Sequence, residues 1–208
     1  MLKIVSGLVV VSVFASSAYA DPPPTDHIVI DVITVNGSGC PSGTAAVAVS
    51  LDNTAFTVTY SNYLAQVGVG SVPTDFRKNC QLNILVHVPM GFTYAIASAN
   101  YRGFASLAPG ATSLERANYF FQGQSPTSFI QHSFAGPMED DWQSTDTTDL
   151  AALVFAPCGV QRNLNINTEL RVSAGTSDPR TTTSFMTMDS TDGQITTTYH
   201  FAWQQCHM

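Results

Sequence analysis

Lysine is almost missing from this chain. It occurs twice, as Lys3 and Lys78, and Lys and Arg together number 8 against 15 Asp and Glu, a formal net charge of −7. So acidic a balance argues against nucleic acid and against anionic membrane surfaces as partners. Charged residues of both signs reach 11%, against about 25% in an ordinary soluble domain. No apolar run approaches the roughly 20 residues that a membrane span takes, so none is expected. Two motifs are absent as well. Without C-x-x-C there is no redox motif or zinc ribbon to argue from, and without G-x-S-x-G there is no nucleophile elbow. Helical periodicity is nearly lacking; only Asn62 to Val67 reads as one short helical turn.

What is present points outside the cytoplasm. Lys3, the apolar run Ile4 to Phe14 and the small-x-small triplet Ala18-Tyr19-Ala20 form an export signal with Asp21 as the expected first mature residue. The chain divides into a cleaved signal over 1–20, a proline-rich leader and first strand over 21–38, and one domain over 39–208, into which strand 27–35 packs. Four cysteines, Cys40, Cys80, Cys158 and Cys206, then meet an oxidising compartment, where an even count predicts two disulfides. Three pairings are open; Cys40–Cys80 with Cys158–Cys206 is favoured because it ties neighbouring stretches of chain. The expected location is extracellular.

The chain is rich in hydroxyls, with 23 threonines, and threonine suits a pleated, half-exposed strand. Strands are expected over 27–33, 45–51, 56–60, 92–104, 114–121, 128–134, 150–155, 163–172, 184–188 and 195–203. Leu82, Ile84, Val86 and Val88 alternate with Asn83, Leu85 and His87, which marks a further strand. Asp52-Asn53 reads as a hairpin turn, Asn36-Gly37 as a turn, and Gly103 as a bulge. The acidic stretch Glu139 to Asp149 reads as a loop. The resulting fold class is all-β: an antiparallel β-sandwich of about ten strands stapled by two disulfides, with a β-barrel as the alternative.

Gly39-Cys40-Pro41, Lys78-Asn79-Cys80, Tyr101-Arg102-Gly103-Phe104 and Pro157-Cys158-Gly159 followed by Asn163-Leu164-Asn165-Ile166-Asn167 resemble a family of secreted proteins, domain of unknown function 4360. The resemblance spans roughly Gly39 to Cys206. It implies export and a shared disulfide framework, and carries no catalytic residues to transfer.

Chemistry-bearing residues are scattered. His87 is the best base candidate for a Ser-His-Asp arrangement, although a strand histidine so placed is more often simply exposed or hydrogen-bonded. Five carboxylates fall within Glu139–Asp149, and Glu139, Asp140, Asp141 and Asp146 offer oxygen ligands for calcium, without the spacing of an EF-hand. A solvated acidic loop is the plain alternative. Asp140 and Asp141 beside Trp142 suggest glycoside hydrolysis, but that needs carboxyls held about 5–10 Å apart across a bond. Trp142 and Tyr101 are the rings singled out for binding, as platforms for sugar stacking; Trp142, amid polar neighbours, is expected to be partly accessible, with a ring that anchors the loop onto the sandwich as the alternative. Terminal His207 and Met208 give a weak copper reading, and Asn36-Gly37-Ser38 fits a glycosylation acceptor. The expected function is a non-enzymatic binding or interaction protein whose partner is a polysaccharide or a protein. The alternative is a secreted hydrolase with dispersed catalytic groups.

Overall fold

The computed structural model describes residues 20–125, 129–148, 152–188 and 196–206. The expected export signal lies outside them apart from Ala20, as do His207 and Met208. Twelve strands run in chain order: β1 (Val29–Asn36), β2 (Ala45–Val49), β3 (Ala55–Tyr60), β4 (Leu64–Gly68), β5 (Arg77–His87), β6 (Phe92–Leu107), β7 (Thr112–Phe121), β8 (Ile130–Ala135), β9 (Met138–Thr147), β10 (Leu164–Ser173), β11 (Thr183–Thr187) and β12 (Thr197–Gln205). They form a five-stranded sheet, β1-β5-β10-β7-β8, and a seven-stranded sheet, β2-β3-β12-β6-β11-β4, with β9 on the free side of β6. Every pairing is antiparallel. The two sheets make a sandwich and no closed barrel.

Alternation decides which side chains enter the core. On the five-stranded sheet, Leu82, Ile84 and Val86 of β5 and Leu164, Ile166, Leu170 and Val172 of β10 are buried. They meet an aromatic layer from the other sheet, Phe56, Tyr94, Tyr101, Tyr199 and Trp203. Tyr94 stands edge-on to Phe121 of β7 with centroids 5.3 Å apart, a favoured geometry across the gap. The Asp52-Asn53 turn forms as expected between β2 and β3. Asn53 adopts φ 58° and ties down the leader, donating to the carbonyls of Pro24 at 2.9 Å and Asp26 at 2.8 Å.

Both favoured disulfides are present, Cys40–Cys80 and Cys158–Cys206, and the described cysteines leave none free. They close separations of 40 and 48 residues, each restricting the unfolded chain by about 4 kcal/mol on the chain-entropy model. Cys158→Ser with Cys206→Ser is accordingly expected to lose about 4 kcal/mol in urea denaturation with Cys40–Cys80 intact; a loss under about 1 kcal/mol would show that the bridge does not constrain the unfolded state.

Four expectations need correcting. Of residues 62–67, Leu64 to Val67 belong to strand β4 rather than to a helical turn, because β4 pairs with β11 from Gly68 opposite Thr183 to Leu64 opposite Thr187. Of 150–155, the described residues Ala152 to Phe155 form no strand. Gly103 is not a bulge: β6 runs in register with β9 through it, and the irregularity in β6 falls opposite His200/Phe201. The acidic stretch is strand β9, not a loop, through Thr147; Asp149 lies outside the described residues.

Candidate functional site

The pleat of β9 sorts the acidic stretch onto two faces. Trp142, Ser144 and Asp146 point into the sandwich and are buried, while Asp141, Gln143, Thr145 and Thr147 are exposed. Asp146, 3% exposed, is engaged by protein groups: His132 Nε2 of β8 lies 2.7 Å from its Oδ1, and Tyr119 donates to its Oδ2 at 3.0 Å. The quartet Glu139, Asp140, Asp141 and Asp146 therefore does not converge as the calcium reading required. Among the described residues no group of three or more His, Cys, Asp or Glu could hold a metal ion.

Trp142 and Tyr101 are likewise inside, at 3% and 0% exposure. The Trp142 ring lies against Phe134 with centroids 5.4 Å apart, and its Nε1 donates to the Thr187 carbonyl at 3.1 Å. Gly103, its partner across the β6–β9 ladder, makes room for it. A Cβ there would stand 2.7 Å from the indole and 1.8 Å from the Thr187 oxygen. A tryptophan with polar sequence neighbours is buried because those neighbours alternate to the other face of the strand. Neither ring is placed to stack on a sugar.

Between the sheets these residues join a polar cluster. Tyr101 hydrogen-bonds Tyr119, Tyr119 bonds Asp146, and Tyr63 bonds Thr168 at 3.1 Å. Glu115, fully buried and directly opposite His132 on β8, accepts from Ser144 at 3.3 Å through one oxygen, while its other oxygen has no partner. Burial first, and then the charge of Asp146, push the Glu115 carboxyl up to about 9. It is therefore protonated at neutral pH. Burial also raises the hydroxyls of Tyr63, Tyr101, Tyr119 and Tyr199 well above the ordinary value. Chemically the cluster resembles an acid–base pair, but its carboxylates face the interior; His132, with 28% of its side chain exposed, is the member that reaches solvent. Ser144, the inward hydroxyl two residues before Asp146, is committed to Glu115 rather than to the histidine.

The outer face of the five-stranded sheet has a different character. Along β5 it carries Arg77, Asn79, Gln81, Asn83, Leu85 and His87, and along β10 Asn165, Asn167, Glu169 and Arg171. Register aligns them into cross-strand rows: Asn83 with Asn165, Gln81 with Asn167 and Asn118, Arg77 with Arg171. Asn83 donates to Asn165 at 2.7 Å, Asn163 to Asn83 at 2.7 Å, and Asn167 to Asn118 at 3.1 Å. His87, the base candidate of the sequence, ends this face, its Nε2 2.7 Å from Asp31 Oδ2 and its Nδ1 3.3 Å from Gln161 Nε2. At the other end Glu169 receives Arg77 Nε at 2.8 Å, Arg116 at 3.2 Å and Arg171. Burial opposes its charge, but the hydrogen bonds from Arg77, Arg171 and Arg116 outweigh that and hold its carboxyl below the ordinary value. From Arg77 to His87 the face is about 33 Å long at the usual strand rise.

None of the outer-face amides and arginines stands out in the sequence as a binding candidate; Asn79, Asn163, Asn165 and Asn167 enter it only through the motifs that carry the family resemblance. The signal was there as period-2 alternation, Asn163-x-Asn165-x-Asn167-x-Glu169-x-Arg171 and Arg77-x-Asn79-x-Gln81-x-Asn83, and only the register between strands turns it into a surface.

Fold, disulfides and resemblance together define a secreted, disulfide-bonded β-sandwich. The chain belongs to the family described as Domain of unknown function (DUF4360), whose model matches residues 26–206. It is 35% identical over 184 residues to an uncharacterized secreted protein of Arthroderma benhamiae, covering 88% of this chain and 74% of that protein. Among solved structures it is similar to the enzymatically active domain of tailspike protein 4 of bacteriophage CBA120, at 12% identity and a TM-score of 0.26, over 83% of this chain and 19% of that one.

Proposed function

We propose that this protein is an extracellular polysaccharide-binding module that works through the outer face of its five-stranded sheet. The observation that carries the reading is the set of partly exposed, hydrogen-bonded amides Asn83, Asn163, Asn165 and Asn167, the last of them seated on the buried Asn118. Each primary amide offers two donors and a carbonyl with two acceptor sites, so pairing with a neighbour fixes its orientation and leaves capacity for a ligand. Uncharged donors and acceptors held on a rigid sheet suit the hydroxyls of a sugar chain, with little ordering cost on binding. Gln81, on the same face, is exposed. A hydrolytic reading would rest on Glu115, Asp146 and His132. It is less favoured because substrate would have to reach carboxylates enclosed between the sheets.

The test is affinity electrophoresis in gels cast with soluble polysaccharides. The native protein is expected to be retarded by at least one, and Asn83→Ala with Asn165→Ala to weaken that retention at least tenfold, about 1.4 kcal/mol, with little change in melting temperature. Retention unchanged in the double variant would move the binding surface elsewhere.

A further inference from the structure

The arginine end of the outer face has more positive charge than its fold requires. One guanidinium would neutralise Glu169; three surround it. Arg77 and Arg171 are moreover direct cross-strand partners, a like-charge placement that ordinarily destabilises a ladder. Their side chains are 49% and 40% exposed; Arg77 gives Nε and Nη2 and Arg171 gives Nε to Glu169, and the remaining guanidinium donors are what a ligand can meet. Beside them runs an open groove of about 820 Å³, lined by Phe76, Leu114, Gln131, Ser133, Phe134 and Arg171, a volume in the range of small-molecule sites. Phe76 is 47% exposed; Phe129, 45% exposed, lies 4.3 Å from the Arg116 guanidinium.

Building on the polysaccharide reading, we infer that Arg77 and Arg171 bind a carboxylate of an acidic polysaccharide, whose sugar ring lies in the groove against Phe76 and Leu114. A guanidinium fork matches a carboxylate through paired hydrogen bonds, and Glu169 serves as the internal anion that holds the forks side by side. The chain as a whole is acidic, with net charge −7, but surface charges farther than about 8 Å are largely screened at physiological ionic strength. The local excess therefore governs a single carboxylate, whereas a densely charged polymer would also meet the rest of the acidic surface. The ligand class is thus a polysaccharide with sparse carboxylates on a mostly neutral backbone.

The deciding experiment compares one sparsely uronate-bearing polysaccharide with the same polymer after reduction of its carboxyls to alcohols. The native protein should bind the carboxylated form at least tenfold more tightly, and the difference should shrink in high salt. Arg77→Gln with Arg171→Gln should bind both forms alike, at the level of the reduced polymer. Arg77→Lys, which keeps charge and loses the fork, should fall between, and it keeps the test valid should the double variant fold poorly. Equal binding of both polymers by the native protein would overturn the carboxylate assignment and leave the amide surface standing. Binding of neither polymer would overturn both. Tighter binding to single-stranded DNA or phosphatidylserine vesicles than to the polysaccharide would replace this ligand class with another.

Discussion

Trp142→Ala is expected to lower the unfolding free energy by about 3–5 kcal/mol, the usual cost of emptying a core aromatic site. The ring fills the space that Gly103 leaves on β6, packs on Phe134 from the other sheet and satisfies the Thr187 carbonyl. Its removal leaves a cavity and a carbonyl without that donor. Gly103→Ala attacks the same joint from the other side. Its Cβ meets a backbone oxygen at 1.8 Å, and backbone cannot yield as a flexible side chain would, so a loss of at least 1–3 kcal/mol is expected. Urea denaturation of both variants checks this. A change under about 1 kcal/mol in Trp142→Ala would mean that the ring does not pack as described.

Glu115→Gln should have a comparably large effect, in the stabilising direction and only above acid pH. The Glu115 carboxyl stands near 9 in the folded protein against an ordinary value of 4.5. A group raised on folding contributes its stability in full below the unfolded value, and that contribution is lost as pH rises through the folded one. Between pH 4.5 and 9 the native protein should therefore lose stability from this group by up to about 1.4 kcal/mol per pH unit, a few kcal/mol by pH 8. Glutamine cannot ionise and still offers an oxygen to Ser144, so the variant should lack this slope and be the more stable protein at pH 8. Unfolding free energies of both proteins from pH 5 to 9 decide the matter. Parallel curves would show that Glu115 is already ionised in the folded state.

The contrast between β5 and β9 shows what alternation in a sequence conveys. In β5 the inward set is Leu82, Ile84 and Val86, so period 2 is visible as apolar against polar. In β9 the inward set is Trp142, Ser144 and Asp146, and with two polar members the period disappears among threonines and carboxylates. Residues 62–67 misled for a related reason: a short amphipathic stretch fits a helical turn, and its pairing with β11 is a property of distant chain. The polar cluster and the arginine trio were hidden by distance. His132 and Asp146, 14 residues apart, meet because β8 and β9 lie on facing sheets at one side of the sandwich. Arg77, Arg116 and Glu169 come from three strands whose order, β5-β10-β7, no local pattern specifies. The disulfides were legible because neighbouring cysteines in an exported chain have few partners to choose from.

As the working surface, the outer face of the five-stranded sheet should be where a sugar chain perturbs the protein. The most direct test is an NMR titration of the ¹⁵N-labelled protein with oligosaccharides of the uronate-bearing polymer, following backbone and side-chain NH₂ signals. Shifts are expected to concentrate at Gln81, Asn83, Asn165, Asn167 and Arg171, with the strands of the seven-stranded sheet unmoved except at Val67, which lines the groove. Shifts confined to the seven-stranded sheet or to the surroundings of His132, with the amide rows silent, would contradict that role for the outer face.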